Sequence, residues 1–196
     1  MKVNAKEDQN MIDQQADTLQ VLSILLHYPD QELLSGLDEI ESLAANLPQA
    51  ETKSAIQAFI SDLKIQPLIR VQERYTAAFD MDPAMTMNIT YHAFGDNEKR
   101  SAALAYLQRT YEQAGWERVT GELPDYLPLM LEFLAVCPHP EHAAPVWQCL
   151  QGMPPLVARL EKNAPVYAAL LQPIVTMAIE RCAAVEGRDH PPEAIA

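Results

Sequence analysis

Apolar residues recur along most of the chain at intervals of three and four positions, the spacing that places them on one face of an α-helix. This period predicts helices over residues 17–28, 31–47, 51–64, 68–79, 97–114 and 125–137, and further helices around 140–150, 154–162 and 165–186. Proline, which cannot continue a helix, separates several of these segments. The pattern therefore predicts an all-α fold, a single-domain bundle of roughly eight to ten helices joined by short Pro-containing loops.

Both ends of the chain lack this pattern. We expect residues 1–16 to be a flexible N-terminus and residues 187–196 to be a frayed C-terminal tail. Residues 17–186 then form one helical domain, which suits a chain of 196 residues.

Three residues have the chemistry of helix ends. Asp30 is predicted to cap the second helix, and Gly115 to follow the end of helix 97–114. Asp125 is predicted to cap helix 125–137, because its carboxylate can accept hydrogen bonds from the free N–H groups of the first turn. This assignment puts Pro128 at the third helical position, where its missing N–H costs nothing.

Residues 80–96 have the weakest helical pattern. Apolar residues alternate there at positions 85, 87, 89, 91 and 93, which permits a short strand. Because no second strand is available to pair with it, we expect a loop or short helices.

The charge balance restricts the partners that the chain can bind. It has 14 Lys and Arg residues against 27 Asp and Glu residues, a formal net charge of −13. Nucleic-acid binding depends on clustered basic residues, and anionic membrane surfaces repel an acidic protein. We therefore expect no nucleic acid and no membrane insertion, whereas a cationic partner is favoured.

The glycine and cysteine content argues against two further classes of protein, nucleotide-binding enzymes and secreted proteins. The six glycines form no G-x-G-x-x-G or G-x-x-x-x-G-K-[ST] loop, which disfavours a nucleotide-binding enzyme. Three widely spaced cysteines indicate a reducing compartment, and the first twenty residues contain no apolar segment of a secretory signal. These features predict a cytoplasmic protein.

Two enzyme-like alternatives remain open. Cys137, His139 and His142 are potential zinc ligands, although their spacing matches no standard zinc site. An acid/base site could be assembled from carboxylates and a histidine, with Glu132 of interest because it interrupts a helix that is otherwise apolar. The candidates for that site are His92, Asp96, Glu122, Asp125 and Glu132.

Methionine suggests a binding function instead. Met81, Met85 and Met87 lie in the irregular segment, and Met130 lies on the most apolar helix. Flexible, polarisable methionine is common on surfaces that accept varied apolar peptides, although core packing explains Met130 equally well. An acidic, Met-bearing helical groove suits an amphipathic peptide that carries Arg or Lys.

Four segments resemble the NarJ branch of the TorD/DmsD/NarJ chaperones, which assist the maturation of molybdoenzymes. Residues 25–30 (LLHYPD) resemble the family pattern L-L-x-Y-P-D, and residues 75–80 (YTAAFD) resemble Y-x-x-x-F-D. Residues 92–96 (HAFGD), followed by Arg100, resemble H-x-x-G-[ED]…R. Residues 122–133 (ELPDYLPLMLEF) are similar to E-L-P-D-H-L-P-L-x-L-E-[FY], the most specific of these patterns.

The resemblance implies an all-helical cytoplasmic chaperone that is not an enzyme and keeps no cofactor of its own. Its implied partner is the apo catalytic subunit of a nitrate reductase or a close relative, bound through an N-terminal, twin-arginine-like segment. Cofactor-delivery proteins are further candidate partners. The chaperone would hold the subunit competent for insertion of the molybdenum cofactor. A generic helical adaptor for folded partners is an alternative that the residues leave open.

The resemblance also implies a peptide-binding site. It carries this role to His92, Gly95, Asp96, Glu122, Pro124, Asp125 and Pro128. Tyr126 and Met130 complete the candidate set, Tyr126 standing where the family pattern has His. Glu122 and Asp96 are the candidate counter-charges for an arginine of the peptide, whereas Asp125 and the prolines are equally suited to shaping a helix end.

Overall fold

A computed structural model describes the backbone of residues 2–117, 121–137 and 139–186, and the side chains of residues 14–117, 121–137, 139 and 141–183. The described residues form eleven α-helices and one 3₁₀ turn, Pro83–Met85, with no β-strand. The helices are α1 (Lys2–Leu26), α2 (Gln31–Ser35), α3 (Leu37–Ala44), α4 (Ala50–Lys64), α5 (Leu68–Phe79), α6 (Ile89–Phe94), α7 (Glu98–Gln113), α8 (Leu127–Val136), α9 (Pro140–Leu150), α10 (Pro154–Asn163) and α11 (Pro165–Glu186).

The all-α prediction is confirmed, and most helix bounds agree with the apolar pattern. The helix count exceeds the predicted range of roughly eight to ten, partly because the predicted helix 31–47 is two helices that meet at Gly36. Glycine has a weak intrinsic preference for helix, which explains the break at that position. Helix α1 begins at Lys2, fifteen residues before the predicted start. The flexibility of residues 1–16 stays a prediction, and the predicted tail 187–196 lies outside the described residues.

Helix α8 makes the most extensive of the described contacts between helices, with α1. Most of α8 is buried, and Glu132 and Val136 are its exposed residues. The Ser23 hydroxyl of α1 donates a hydrogen bond of 2.8 Å to the Pro128 carbonyl, which fixes the position of α8 along α1. Helices α4, α9 and α10 pack against α11, and α9 also contacts α8.

The segment between α5 and α7 is a loop with short helices, as predicted. The 3₁₀ turn and α6 lie within it, and Asn88 and Tyr126 form an isolated antiparallel β-bridge. The Ile89 amide donates to the Asp125 carbonyl at 3.0 Å, and the Leu127 amide donates to the Met87 carbonyl at 2.9 Å. These two bonds fasten the start of α6 to the start of α8.

Helix-end predictions give mixed results. Asp30 caps α2 by accepting from the Leu33 amide at 2.8 Å, and Gly115 follows α7 with φ +70°, both as predicted. The prediction that Asp125 caps its own helix is wrong, because α8 begins at Leu127 and its N-cap, Tyr126, makes no side-chain capping bond. Pro128 consequently lies at the second helical position rather than the third.

Candidate functional site

Asp125 is completely buried and joins two helices that are distant in sequence. Its carboxylate accepts hydrogen bonds from the Thr90 amide at 3.1 Å and the Thr90 hydroxyl at 2.5 Å. The Asn88 side-chain amide donates to the same carboxylate at 3.1 Å. Because Thr90 is in the first turn of α6, Asp125 supplies the acceptor that α6 needs at its N-terminus. Asp125 is therefore a capping residue, although for a helix 35 residues earlier in the chain.

Arg100 on α7 contacts both Thr90 and Asp125, the two residues at the centre of this hydrogen-bond network. Its Nε donates to the Thr90 hydroxyl at 3.3 Å, and its guanidinium lies 3.7 Å from the Asp125 carboxylate and 5.7 Å from the centre of the Tyr91 ring. Asp96 lies 4.0 Å from the same guanidinium, but the Asp96 side chain is 93% exposed. The buried pairing with Asp125 is the stronger of the two, because solvent screens the exposed one.

Gly95 allows the tight connection between α6 and α7. Its backbone adopts φ +62° and ψ −150°, a conformation essentially restricted to glycine. No atom lies within 4 Å of the position that a Cβ would take, so the requirement concerns backbone conformation rather than space. The sharp turn brings Arg100 back over α6, where it meets Thr90 and Asp125.

A pair of tyrosines joins the ends of α1 and α5 to the start of α8. The Tyr75 hydroxyl donates to the Leu26 carbonyl at 3.2 Å and lies 3.0 Å from the Tyr126 hydroxyl. Tyr75 has a single hydroxyl proton, so the hydrogen bond between the two tyrosines takes its proton from Tyr126. The lone pairs of the Tyr126 oxygen consequently remain available to accept a hydrogen bond from a ligand.

Aromatic and acidic side chains surround this pair. The His27 ring packs edge-on against Tyr126 at 5.9 Å, and half-exposed Tyr28 packs edge-on against Tyr75 at 5.3 Å. Burial raises the pKa of Tyr126, and the negative charges of Glu122 and Asp80 raise it further. We call the surface formed by His27, Tyr28, Asp80, Glu122 and Tyr126 the tyrosine–acid face. It combines flat apolar rings with carboxylates, the combination that accommodates an arginine side chain.

A polar pocket of about 350 Å³ adjoins the tyrosine–acid face. Asp80 belongs to both, and Asn88, another lining residue, is bridged to Tyr126. The polar lining comes from Asp80, Asp82, Thr86, Asn88, Tyr91 and Arg100. The pocket and the face together form a continuous site at the junction of α1, α5, α6 and α8.

The candidate peptide-binding residues fall into two groups. Glu122 and Asp96 are exposed, and His92 and Tyr126 are half-buried, with His92 Nε2 2.8 Å from the Thr86 carbonyl. The others are buried or form the backbone beneath them: Pro124, Asp125, Pro128 and Met130 are buried, and Gly95 shapes the turn before α7. Only the side chains of the first group are therefore accessible from solvent, and a peptide-binding role for any of the nine residues stays a prediction.

Sequence reasoning missed Tyr75, Thr90 and Asn88. Tyr75 lies in one of the four segments that resemble the chaperone family, which was the available signal for its importance. Thr90 and Asn88 matter because they contact Asp125 across 35 and 37 positions of sequence. No local pattern reports a contact of that length.

The geometry does not favour the enzyme-like alternatives. Glu132 is exposed on the solvent side of α8 rather than buried. Among the described side chains, no group of three His, Cys, Asp or Glu residues could hold a metal ion. Burial raises the pKa of the Cys149 thiol to about 12, which keeps it protonated and unreactive near neutral pH. None of the described helices has the length and apolar character needed to cross a membrane.

Acidification is expected to destabilise the fold through His27. Burial lowers the pKa of His27 from its ordinary value of 6.5. The negative charges of Glu132, Glu122 and Asp30 raise this pKa, but by less than burial lowers it. Below pH 6.5 the His27 side chain therefore binds more protons in the unfolded chain than in the folded chain. The free energy of unfolding consequently decreases as the pH is lowered, and it levels off below the pKa of His27 in the folded protein. Chemical denaturation at pH 7.5 and pH 5.5 should show a smaller loss for His27→Gln than for the parent chain. Equal losses would contradict this role.

Comparison with known proteins places the site in context. The sequence profile described as "Nitrate reductase delta subunit" matches residues 40–151, which include most of the tyrosine–acid face and the whole polar pocket. A probable nitrate reductase molybdenum cofactor assembly chaperone, NarJ of Bacillus subtilis (strain 168), is 34% identical over 162 residues, which are 83% of this chain and 88% of that protein. The nitrate reductase molybdenum cofactor assembly chaperone NarJ of Escherichia coli (strain K12) is 32% identical over 188 residues, 90% of this chain and 79% of that protein.

The fold also resembles that of a solved structure. A putative redox enzyme maturation protein from Archaeoglobus fulgidus superposes with a TM-score of 0.60 over 83% of this chain and 92% of that one. The two sequences are 20% identical, so this similarity concerns the fold alone.

Proposed function

Because the chain belongs to the nitrate reductase delta subunit family, we propose that it is an assembly chaperone for the catalytic subunit of a nitrate reductase or a closely related molybdoenzyme. It acts in the cytoplasm by binding the N-terminal segment of that subunit and keeping the subunit open for insertion of the molybdenum cofactor. Binding rather than catalysis is the activity. The single observation that carries the proposal is the tyrosine–acid face, which is built from three of the four segments that resemble the chaperones.

The charge distribution supports a segment that carries arginine. Four carboxylates, from Asp30, Asp80, Glu122 and Glu132, act electrostatically on His27, Tyr75 or Tyr126 at this face. A client guanidinium would stack on an aromatic ring of this face, such as that of half-exposed Tyr28, and pair with one of its carboxylates, such as that of Glu122. Asp96 already lies 4.0 Å from Arg100, so a client arginine that paired with Asp96 would share the carboxylate with that guanidinium.

The experiment is a calorimetric titration of the full chain with a synthetic peptide. The peptide comprises the first thirty residues or so of the nitrate reductase catalytic subunit of the same organism, a length that spans the surface of a small domain when extended. A peptide of the same composition in scrambled order is the control. We expect saturable binding of the natural peptide alone, and binding of neither peptide would refute the proposed function.

Neutralising Glu122 is expected to weaken this binding. Glu122→Gln removes one charge-assisted contact, so we expect the affinity for the peptide to fall by about fivefold in low salt. The difference should shrink in about 0.5 M salt, because screening weakens the pairing in the parent chain. Glu180→Gln, which makes the same charge change at an exposed position on α11, is the matched control. If both variants bind alike, Glu122 does not contact the arginine.

A further inference from the structure

We infer that the polar pocket captures the free amino terminus of the client polypeptide, with Asp82 and Asp80 binding the α-ammonium group and Arg100 binding the first peptide carbonyl. This inference rests on the proposed function and specifies which end of the client segment is recognised. It concerns the pocket beside the tyrosine–acid face, not the face itself.

Two carboxylates of the pocket, those of the exposed residues Asp80 and Asp82, have no ion-pair partner among the described residues. Among the described residues, the Asp80 carboxylate makes no hydrogen bond or ion pair. Asp82 uses one carboxylate oxygen to accept from the Ala84 amide at 2.9 Å, and no described cation pairs with it. Two carboxylates therefore line one cavity of about 350 Å³ and form no ion pair with any described residue, including Arg100 of the same cavity.

Arg100 contributes the complementary group. Its Nε donates to Thr90, but in the described part of the chain its two terminal nitrogens have only ion-pair contacts of 3.7 Å and 4.0 Å. These distances exceed those of good hydrogen bonds, so the terminal N–H groups can still donate to an acceptor in the pocket. The side chain itself is 17% exposed and is held by Asp125 and the Tyr91 ring. The donors are consequently fixed in place before a ligand arrives.

The two carboxylates and the guanidinium of the pocket together disfavour ligands that carry a single kind of charge. The Arg100 guanidinium repels a metal cation and the guanidinium of a client arginine, while the two carboxylates repel a phosphate or an isolated carboxylate. A lysine ammonium would satisfy Asp80 and Asp82, but it has no carbonyl beside it for Arg100. An amino terminus has its ammonium group and its first carbonyl oxygen within one residue of each other, so it satisfies both parts of the pocket.

The position of the pocket agrees with this assignment. Asp80 is shared between the pocket and the tyrosine–acid face, and the Asn88–Tyr126 bridge connects the two. A segment whose amino terminus occupies the pocket can continue directly over Tyr126 towards Glu122. The first residues of the client then lie in the pocket, and a following arginine lies on the face.

The test compares two forms of one synthetic peptide, the first fifteen residues of the catalytic subunit with either a free or an acetylated α-amine. We expect acetylation to weaken calorimetric binding to the full chain at pH 7 by about tenfold or more, because it removes the charge from the ammonium group. Raising the pH through the α-amine pKa of about 7.7–8.0 should weaken binding of the free peptide and leave the acetylated peptide unaffected. Equal affinities for both forms would overturn the inference while leaving the proposed function intact.

A variant assigns the effect to the pocket. Asp82→Asn keeps the oxygen that accepts from Ala84 but removes the charge, so it should fold normally. We expect it to lower affinity for the free peptide by about fivefold and to leave the acetylated peptide unchanged, whereas Glu180→Gln changes neither. A loss that is equal for both peptides would contradict contact with the amine.

Two further outcomes would show that the pocket does not bind the amino terminus of a client polypeptide. If free methionine binds as tightly as the peptide, the pocket is a site for amino acids and the inference is wrong. If neither form of the peptide binds at any pH, the proposed function fails together with the inference.

Discussion

Replacing Asp125 with alanine is expected to lower the free energy of unfolding by about 3–5 kcal/mol. The carboxylate is completely buried and holds the Thr90 amide, the Thr90 hydroxyl, the Asn88 amide and the Arg100 guanidinium. Alanine would leave the Thr90 amide, the Thr90 hydroxyl and the Asn88 side-chain amide without this acceptor and would remove the buried counter-charge of Arg100. Removing one partner of a buried charge pair is costly. Denaturation in urea, followed by circular dichroism, measures the change.

Asp96→Ala is the matched control for that variant. Asp96 approaches the same guanidinium, at 4.0 Å, but from the solvent side with its side chain 93% exposed. We expect a loss below about 1 kcal/mol, the usual range for an exposed ion pair. A similar loss for both variants would show that the buried position of Asp125 has no special importance for the fold.

Replacing Met130 with alanine is expected to cost about 2–5 kcal/mol, because it opens a cavity in the centre of α8. Met130 is completely buried, whereas Met81 is 75% exposed in the loop after α5. Met81→Ala should therefore change stability by less than about 0.5 kcal/mol. Thermal unfolding of the two variants provides the comparison, and a tolerated Met130→Ala would contradict its place in the core.

The two methionine variants also distinguish packing from peptide contact. Met85 and Met87 are buried as well, so Met81 is the exposed member of the methionine group. A folded Met130→Ala protein should bind the client peptide with unchanged affinity.

Helical periodicity predicted the fold because most helices are amphipathic and bounded by proline. Helix α5 begins at Leu68 and ends at Phe79, which are the bounds that the apolar spacing indicates. The same spacing continues across Gly36, so it predicted one helix where the structure has α2 and α3. The apolar pattern does not register a single residue of low helix propensity.

The arrangement of the candidate site depends on contacts between residues that are distant in sequence, and local sequence patterns do not predict such contacts. Asp125 has the chemistry of a helix cap, and that part of the prediction was sound. The capping rule considers the neighbouring residues, however, and the helix that Asp125 caps begins at Ile89. Likewise, the resemblance to the chaperones selected Pro128 as a binding residue but could not indicate that it is buried, and the methionine pattern left Met130 between peptide contact and core packing. Burial is decided by how α1 and α8 pack, which local sequence does not report.

The tyrosine pair illustrates the same limit. The chaperone pattern has His at the position of Tyr126, so sequence alone raised the question of what Tyr does there. The structure answers it through Tyr75, whose hydroxyl lies 3.0 Å away and belongs to a segment 51 residues earlier. In this chain Tyr126 therefore makes a hydrogen bond between α5 and the start of α8 without a group that titrates near neutral pH.

Site-specific photocrosslinking tests the central claim most directly. Benzoylphenylalanine is placed at Tyr28, which is 49% exposed on the tyrosine–acid face, or at Ile179, which is 56% exposed on α11. Each protein is irradiated with the full catalytic subunit lacking its molybdenum cofactor, and the crosslinked residues are identified by mass spectrometry. We expect the probe at position 28 to attach to the N-terminal segment of the subunit, and the probe at position 179 to give no such product. Attachment of that segment from position 179 but not from position 28 would contradict the account.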